Sequence, residues 1–499
     1  MTTLADALRG AAAATPDRIL LRDGDLTLTC AGLSSQATSL AAALTTRLPV
    51  GSVVSFMVPN WHEAAVIYLG ATLAGMVVNP ILPSLRDHEL RFILTDADSG
   101  VIFIPETFGG HDYAAMLSRV AADLPSAPEV VVVRGDPRGH TAYADLFTAP
   151  IVEPLPSLDP DATRMILYTS GTTGRPKGVL HSHNTMDALI AQLGKFWRIE
   201  AGDTFLVPSP VAHIGGSIYA FECPLLLNTQ AVLMQRWDSD AAVALMLEHR
   251  CTHMAGATPF LSGLLTAAER AGTRLPDLKV FICGGASVPP SLIHRAAEYF
   301  ERALVTRVYG STEVPVTTVG SLDDVDHAAD TDGRPGIADV ILVDREIRAR
   351  GPQMLTGYLH ADDTRAAFDE AGYFRTGDLG RFTDDGYLVV TGRAKDIIIR
   401  NGENISPKEV EDILVTHPQI AEIAIVGIPD PRTGERACAA IVASHPPGPD
   451  VAELREFLLA RGVAKFKAPE RVVFYDTLPK NAAGKVLKHH IKAELTEES

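Results

Sequence analysis

Five cysteines in 499 residues, Cys30, Cys223, Cys251, Cys283 and Cys438, are too few and too scattered for a disulfide framework or a zinc site, and no two form a C-x-x-C pair. They read as reduced, buried thiols of a cytoplasmic protein. Positive charge is also short: 44 Lys and Arg against 61 Asp and Glu leave a formal net charge of −17. No overall excess of cations is available to neutralise phosphates, so nucleic acid is not expected as the main partner. The longest apolar run, Ala64 to Val78, falls short of the roughly 20 residues needed to cross a bilayer, and no integral membrane span is expected. Asn60 and Glu63 stand before it at N-cap and N3 spacing, and Asn79-Pro80 follows as a stop, so it reads as a buried helix. The N-terminal MTTLADALRGAAAATPDR has no basic region leading into an apolar one, and no secretory signal is expected. Internal repeats and low-complexity segments are missing too.

With 46% hydrophobic and 21% charged residues the composition is that of an ordinary globular protein, and the length allows about three structural units. Through the first 390 or so residues apolar, β-rich runs alternate with amphipathic helical stretches, the pattern of an α/β fold. After Gly392 the texture changes to a compact α+β unit. IIIRNGENI suggests a hairpin, SPKE (Ser406 to Glu409) a capping box with proline at the first helical position, and Asp450 with Glu453 another helix start. The expected organisation is a large domain over 1–393 and a small one over 394–499, with the boundary near GRAKD, Gly392 to Asp396.

YTSGTTGRPKGV, Tyr168 to Val179, follows the apolar run MILY and combines glycines, hydroxyl side chains and a lysine. Such a loop offers close backbone N–H groups and short donors to phosphate oxygens, although a Gly/Ser/Thr cluster can equally be a plain connector. The P-loop spacing fails, because Pro176 stands where its second glycine belongs and Gly178 follows Lys177. Two further strand-to-loop segments, VFICGG (Val280 to Gly285) and LVTRVYGSTE (Leu304 to Glu313), end in similar polar turns. Ligands collect at the carboxyl ends of parallel strands, so the three loops point to one crevice.

Together with PVAHIGG, ICGGA, YFRTGDLG, GRAKDIIIRNGENISPKEVE and LPKNAAGKVLK, in this order along nearly the whole chain, these segments resemble the adenylate-forming superfamily of acyl-CoA synthetases, luciferases and peptide-synthetase adenylation domains. The resemblance implies ATP, Mg²⁺ and coenzyme A as cofactors. It also implies a two-step reaction in which a carboxylate is joined to AMP and then passed to a thiol. Bringing a carboxylate up to an α-phosphate opposes two anions by about 4 kcal/mol at about 4 Å and an effective dielectric of about 20, so cations are required.

Residue by residue, the resemblance makes Thr169, Ser170, Gly171, Thr172, Thr173, Gly174 and Lys177 the grip on the β and γ phosphates. Gly284, Gly285 and Ala286 become the adenine slot, and Tyr309, Gly310 and Ser311 further ATP-binding residues. Thr312 would bond the α-phosphate, Glu313 with Thr173 would hold the metal, and Lys485 would bridge substrate carboxylate and α-phosphate. Asp378 would accept both ribose hydroxyls with help from Arg393. Lys395 would be the hinge about which the small domain turns between half-reactions, bringing Gly402, Glu403 and Asn404 to the thiol. Lys465, Lys467, Arg471 and Lys480 suit the phosphates of coenzyme A or are simply a solvated charged face.

His213, Ile214, Gly215 and Gly216 resemble the acyl pocket, the glycines leaving room for a bulky group; a core histidine is the alternative reading of His213. No acidic residue lies between Pro210 and Phe221 to hold an amino-acid ammonium, which argues against amino-acid substrates. The segment from Asn79 to Met116 looks closest to ligases of alicyclic acids such as cyclohexanecarboxylate, implying a bulky apolar acid and leaving medium-chain, aryl and polycyclic terpenoid or steroid-derived acids open. The alternative acceptor is an acyl carrier protein acting in trans. Arg345 stands where the family has glycine, in the strand before GPQMLTGYL. His181 and His183 read as loop histidines just beyond the phosphate loop, not as metal ligands.

Overall fold

The structure is a computed structural model and describes residues 3–148, 155–170, 175–285, 288–481 and 484–497. The chain is an α/β protein with a large N-terminal domain and a smaller α+β C-terminal one. A nine-stranded sheet has at its centre six parallel strands whose spatial order runs Ile19–Asp23, Gln230–Leu233, Thr204–Val207, His253–Gly256, Val280–Gly284, Leu304–Tyr309. An eight-stranded sheet carries Thr163–Ser170 between Val77–Pro80, to which it is parallel, and Pro176–Ser182, to which it is antiparallel. A four-stranded antiparallel sheet over 339–393 contributes Phe374–Phe382 paired with Leu388–Arg393. The two large sheets are buried on both sides, so their strands are near-continuous apolar runs.

The apolar run after Asn60 is a buried helix, His62–Leu73, but its ends differ from the sequence reading. Trp61 is the N-cap, without a side-chain cap bond. Asn60 instead points away and donates to the carbonyls of Val207, Ser209 and Met234, while its Oδ1 accepts from Val211 N–H, tying the carboxyl ends of the two large sheets together. At the other end the chain turns at Gly75, with φ of +67°, and Asn79-Pro80 is not a stop but part of the strand Val77–Pro80. Among the described residues no helix is long and apolar enough to cross a membrane. All five cysteines are buried and unpaired.

The C-terminal sheet is built on the antiparallel pair Ile420–Asp430 and Gly434–Ala443, with the hairpin Ile398–Arg400 to Glu403–Ile405 at one edge. Alternate residues of the central pair face opposite ways. Ile425, Ala437 and Ala439 pack against Val410, Leu414 and Leu454, while Ala424, Val426 and Cys438 pack against Ile491 and Leu495. The Asp450 capping box forms as the sequence suggests. The one at Ser406 does not: Pro407 opens the helix, but the Ser406 hydroxyl donates to the Thr391 carbonyl at 2.6 Å. The backbone just before GRAKD is thereby tied to the small domain.

Candidate active site

The strands Thr163–Ser170 and Leu304–Tyr309 belong to different sheets, yet their polar ends meet. Gly310 starts the turn, and a Cβ there would stand 2.6 Å from Val316 N. Beyond it, the Glu313 carboxylate accepts from the hydroxyl of Tyr358 at 3.0 Å and of Thr169 at 3.4 Å. Burial and the Glu313 charge push the Tyr358 phenol well above its ordinary range, so it stays a donor. Glu313 forms no ion pair among the described residues. Both hydroxyls reach the same oxygen, Oε1, and a carboxylate held by such neutral donors is a hard ligand that suits a divalent cation. The Thr312 hydroxyl has no hydrogen-bond partner among the described residues.

Lys177 stands across the ladder from Thr169, where Nζ pairs with Asp363 at 3.1 Å and lies 5.3 Å from the Tyr358 ring centre. Gly171, Thr172, Thr173, Gly174 and Ala286 lie outside the described residues, as does the side chain of Ser170.

Asp378 is buried, and both its oxygens are engaged, one by Arg393 Nε at 2.7 Å and the other by the Tyr309 hydroxyl at 2.9 Å. Lys485 comes to the same place from the small domain. Its backbone is held in a turn, with Lys485 N–H donating to Asn481 Oδ1 and Asn481 N–H to the Lys485 carbonyl, both at 2.9 Å, and Gly484 lies against Pro259 of the large domain. The side chain is exposed at the surface, yet the protein around its amine still desolvates it. Together with the Arg393 charge this pushes its pKa down to about 8, with Asp378 opposing and Lys395 adding to the effect. The same Lys485 charge, after burial, lowers the His213 imidazole.

By its surface exposure, nonetheless, His213 is not a core histidine. It is solvent-accessible, caps the short helix Ile214–Ser217 and accepts from Gly215 N–H at 3.2 Å. The two glycines after Ile214 separate into different roles. Among the described residues a Cβ on Gly215 would meet only the His213 ring, at 3.5 Å, whereas one on Gly216 would stand 2.1 Å from the Pro210 carbonyl oxygen. Gly216 thus serves backbone packing and leaves no room for a substrate group, which corrects the expectation for that residue. Gly284 divides from Gly285 likewise. A side chain on Gly284 would strike Val308, with its Cγ1 at 2.4 Å, whereas Gly285, at φ of +85°, faces open space.

Lys395 is exposed in the 3-10 turn Ala394–Asp396, and Gly402, Glu403 and Asn404 are exposed at the tip of the C-terminal hairpin, Gly402 with φ of +81°. Of the basic residues nearby, Lys467 pairs with Glu409 at 2.6 Å and Lys480 with Glu422 at 2.7 Å, so much of that charge is already balanced. Arg345 sits in the turn between the strands Asp339–Val343 and Glu346–Arg350, not within a strand. Its φ of +67° is the conformation glycine adopts freely.

Two residues of the site were not singled out by their sequence pattern, and a third differs from its sequence reading. Tyr358 and Asp363 carry no local signal, because their partners lie far along the chain. The third, His181, is not a loop histidine but a fully buried residue of the strand Pro176–Ser182, and His183 begins the following helix, also buried. A different cluster, Asp23, His62 and Glu63, has metal-like spacing, but Arg134 already fills it, with bonds of 2.7 Å to each Glu63 oxygen and 2.9 Å to Asp23.

The large domain matches the family model described as AMP-binding enzyme over residues 8–359, and residues 409–485 match that of the AMP-binding enzyme C-terminal domain. The chain belongs to the AMP-binding enzyme family. It is an adenylate-forming ligase of the acyl-CoA synthetase kind. A medium-chain fatty-acid–CoA ligase of Escherichia coli strain K12 is 34% identical over 99% of this chain and 90% of its own length. A ligase of Rhodococcus jostii strain RHA1, named for 3-[(3aS,4S,7aS)-7a-methyl-1,5-dioxo-octahydro-1H-inden-4-yl]propanoyl:CoA, is 32% identical over 99% of each chain. Among solved structures, ATP-bound MatB from Rhodopseudomonas palustris superposes with a TM-score of 0.88 at 27% identity, covering 99% of each chain.

Proposed function

We propose that this adenylate-forming enzyme activates a bulky apolar carboxylic acid and transfers it to coenzyme A. A carboxylate oxygen attacks the α-phosphorus of ATP, the bond to the β-phosphate oxygen breaks, and pyrophosphate leaves. The thiol of coenzyme A then attacks the acyl carbonyl, losing its proton, and AMP departs. The observation that carries the reading is Lys485, held in a turn of the small domain that lies against Pro259 and near enough for its charge to act on both His213 and the Asp378–Arg393 pair. A cation there is near both the segment proposed to hold the acid and the pair proposed to hold the ribose. It would offset the repulsion between carboxylate and phosphate as the new bond forms.

In this scheme Thr169, Ser170, Thr172, Thr173 and Lys177 take the β and γ phosphates, Gly284, Gly285 and Ala286 the adenine, and Thr312 the α-phosphate. Glu313 and Thr173 would hold magnesium, which would supply charge neutralisation of the phosphates. The small domain, proposed to begin at 394, would turn about Lys395 after the first step, exchanging Lys485 for Gly402, Glu403 and Asn404 at the thiol.

The preference for a bulky apolar acid is supported by the lack of any acidic side chain between Pro210 and Phe221, by the open face of Gly215, and by the fused-ring propanoate in the name of the Rhodococcus relative. Measuring pyrophosphate release over a panel of alicyclic, polycyclic, aryl and medium-chain acids, with and without coenzyme A, tests the reading. Thioester with a ring-containing acid is expected. Release without thioester would make a carrier protein the acceptor, and faster turnover of straight-chain acids would overturn the proposed substrate class.

A further inference from the structure

His181 joins two parts of the site that neither its position nor its residue type announces. It lies four residues beyond Lys177 on the strand leaving the phosphate loop, is fully buried, and places Nε2 2.8 Å from the carbonyl oxygen of Thr312. A carbonyl only accepts, so Nε2 carries the proton, and Nδ1 is left facing the Thr185 hydroxyl at 3.2 Å. We propose that His181 is a positioning residue for the adenylation step, fixing the Thr312–Glu313 peptide through this hydrogen bond. The inference rests on the roles given above to Thr312 and Glu313.

The gripped carbonyl lies between the two side chains that matter. The Thr312 hydroxyl emerges on one side and the Glu313 carboxylate follows on the other. The rest of the peptide is held by Leu355 N–H, which donates to the Glu313 carbonyl at 2.7 Å, and by the hydroxyls of Tyr358 and Thr169 on the carboxylate. Those bonds fix Glu313. Among the described residues only the His181 bond fixes the carbonyl of Thr312, and it does so from the strand that carries Lys177, so phosphate grip and α-phosphate donor share one support. Burial keeps the imidazole neutral, with its pKa pushed down to about 4, so the donor is present throughout the working pH range. Supporting contacts of this kind typically affect activity or metal affinity by roughly 10- to 100-fold when removed.

The test uses the full-length enzyme with His181→Leu, which removes the donor, and His181→Gln, whose amide nitrogen can reach the Nε2 position. Acyl-adenylate formation should fall about 10- to 100-fold in His181→Leu and recover in large part in His181→Gln. Synthesis of thioester from preformed acyl-adenylate should stay within about twofold of wild type in both. Manganese binding in the presence of a non-hydrolysable ATP analogue, followed by water-proton relaxation, should weaken at least about tenfold in His181→Leu and not in His181→Gln. Equal loss in both half-reactions, or unchanged manganese binding, would overturn the proposal. Should His181→Leu fail to fold, the contrast between His181→Gln and His181→Asn serves instead. Asparagine reaches only the Nδ1 position, so equal adenylation by the two would overturn it. A wild-type enzyme that releases no pyrophosphate with any acid would contradict the proposed function itself, a result separate from these.

Discussion

Arg393 Nε lies 2.7 Å from Asp378 Oδ1, and the two residues are direct partners in the ladder between Phe374–Phe382 and Leu388–Arg393. The ladder ends at Arg393, immediately before the turn that contains Lys395. A carboxylate fixed this way, with Tyr309 on its other oxygen, keeps its orientation before any ligand arrives.

If that carboxylate accepts the ribose hydroxyls, Asp378→Asn should weaken ATP binding by roughly 10- to 100-fold, the range for hydrogen bonds to a charged group. Calorimetry with 2′,3′-dideoxy-ATP separates this role from a structural one. The dideoxy nucleotide should bind wild type and variant alike. An equal loss for both nucleotides would show that Asp378 only shapes the fold.

The lowered pKa of Lys485 has a direct signature in the free enzyme. Its amine is charged below about 8 and neutral above. Because the charged form is the one required, kcat/KM for adenylation should fall as pH rises through about 8, well before the roughly 10 of an ordinary lysine. The rate of amine modification at Lys485, mapped by mass spectrometry, should rise over the same interval and drop when ATP and acid are bound. A modification midpoint near 10 would contradict the assignment.

Arg164 and Glu222 form a fully buried pair at 2.8 Å, with the Tyr68 hydroxyl within 3.0 Å of Arg164 and 2.5 Å of Glu222. Glu222 closes the π-helical turn Ile218–Glu222 that follows the His213 segment. Arg164→Met leaves an uncompensated buried carboxylate and should cost about 3–5 kcal/mol in urea unfolding. Adding Glu222→Leu should return most of it, and a loss under about 1 kcal/mol from the single change would show that the pair is not a charged one.

At Arg345 the expectation is a gain. With φ of +67° a side chain strains the turn, so Arg345→Gly should raise stability by about 1 kcal/mol and leave turnover unchanged. Unchanged or lowered stability would mean that contacts of the arginine outweigh the strain.

These residues also mark what the sequence could and could not tell. Thr169, Glu313, Asp378 and Lys485 stand out in the sequence as candidates because each sits in a motif whose chemistry constrains residue type and spacing together. Asn60 and Ser406 were misread as helix caps, since local spacing cannot reveal that their true partners are carbonyls brought close by the fold. Gly216 was credited to the substrate because a glycine in sequence does not say which side its missing Cβ would face; the Pro210 carbonyl occupies it. His181 and Arg164 hide in apolar strands. A polar residue within such a run, as in TRMILY, was the available signal that a buried partner must exist.

The central claim is that Lys485 serves the first half-reaction and leaves before the second. Lys485→Ala should reduce acyl-adenylate synthesis by at least roughly 10²-fold, the usual loss when one electrostatic stabiliser of a transition state is removed. The same variant, given preformed acyl-adenylate and coenzyme A, should still make thioester at the wild-type rate. Comparable losses in both half-reactions would contradict the account.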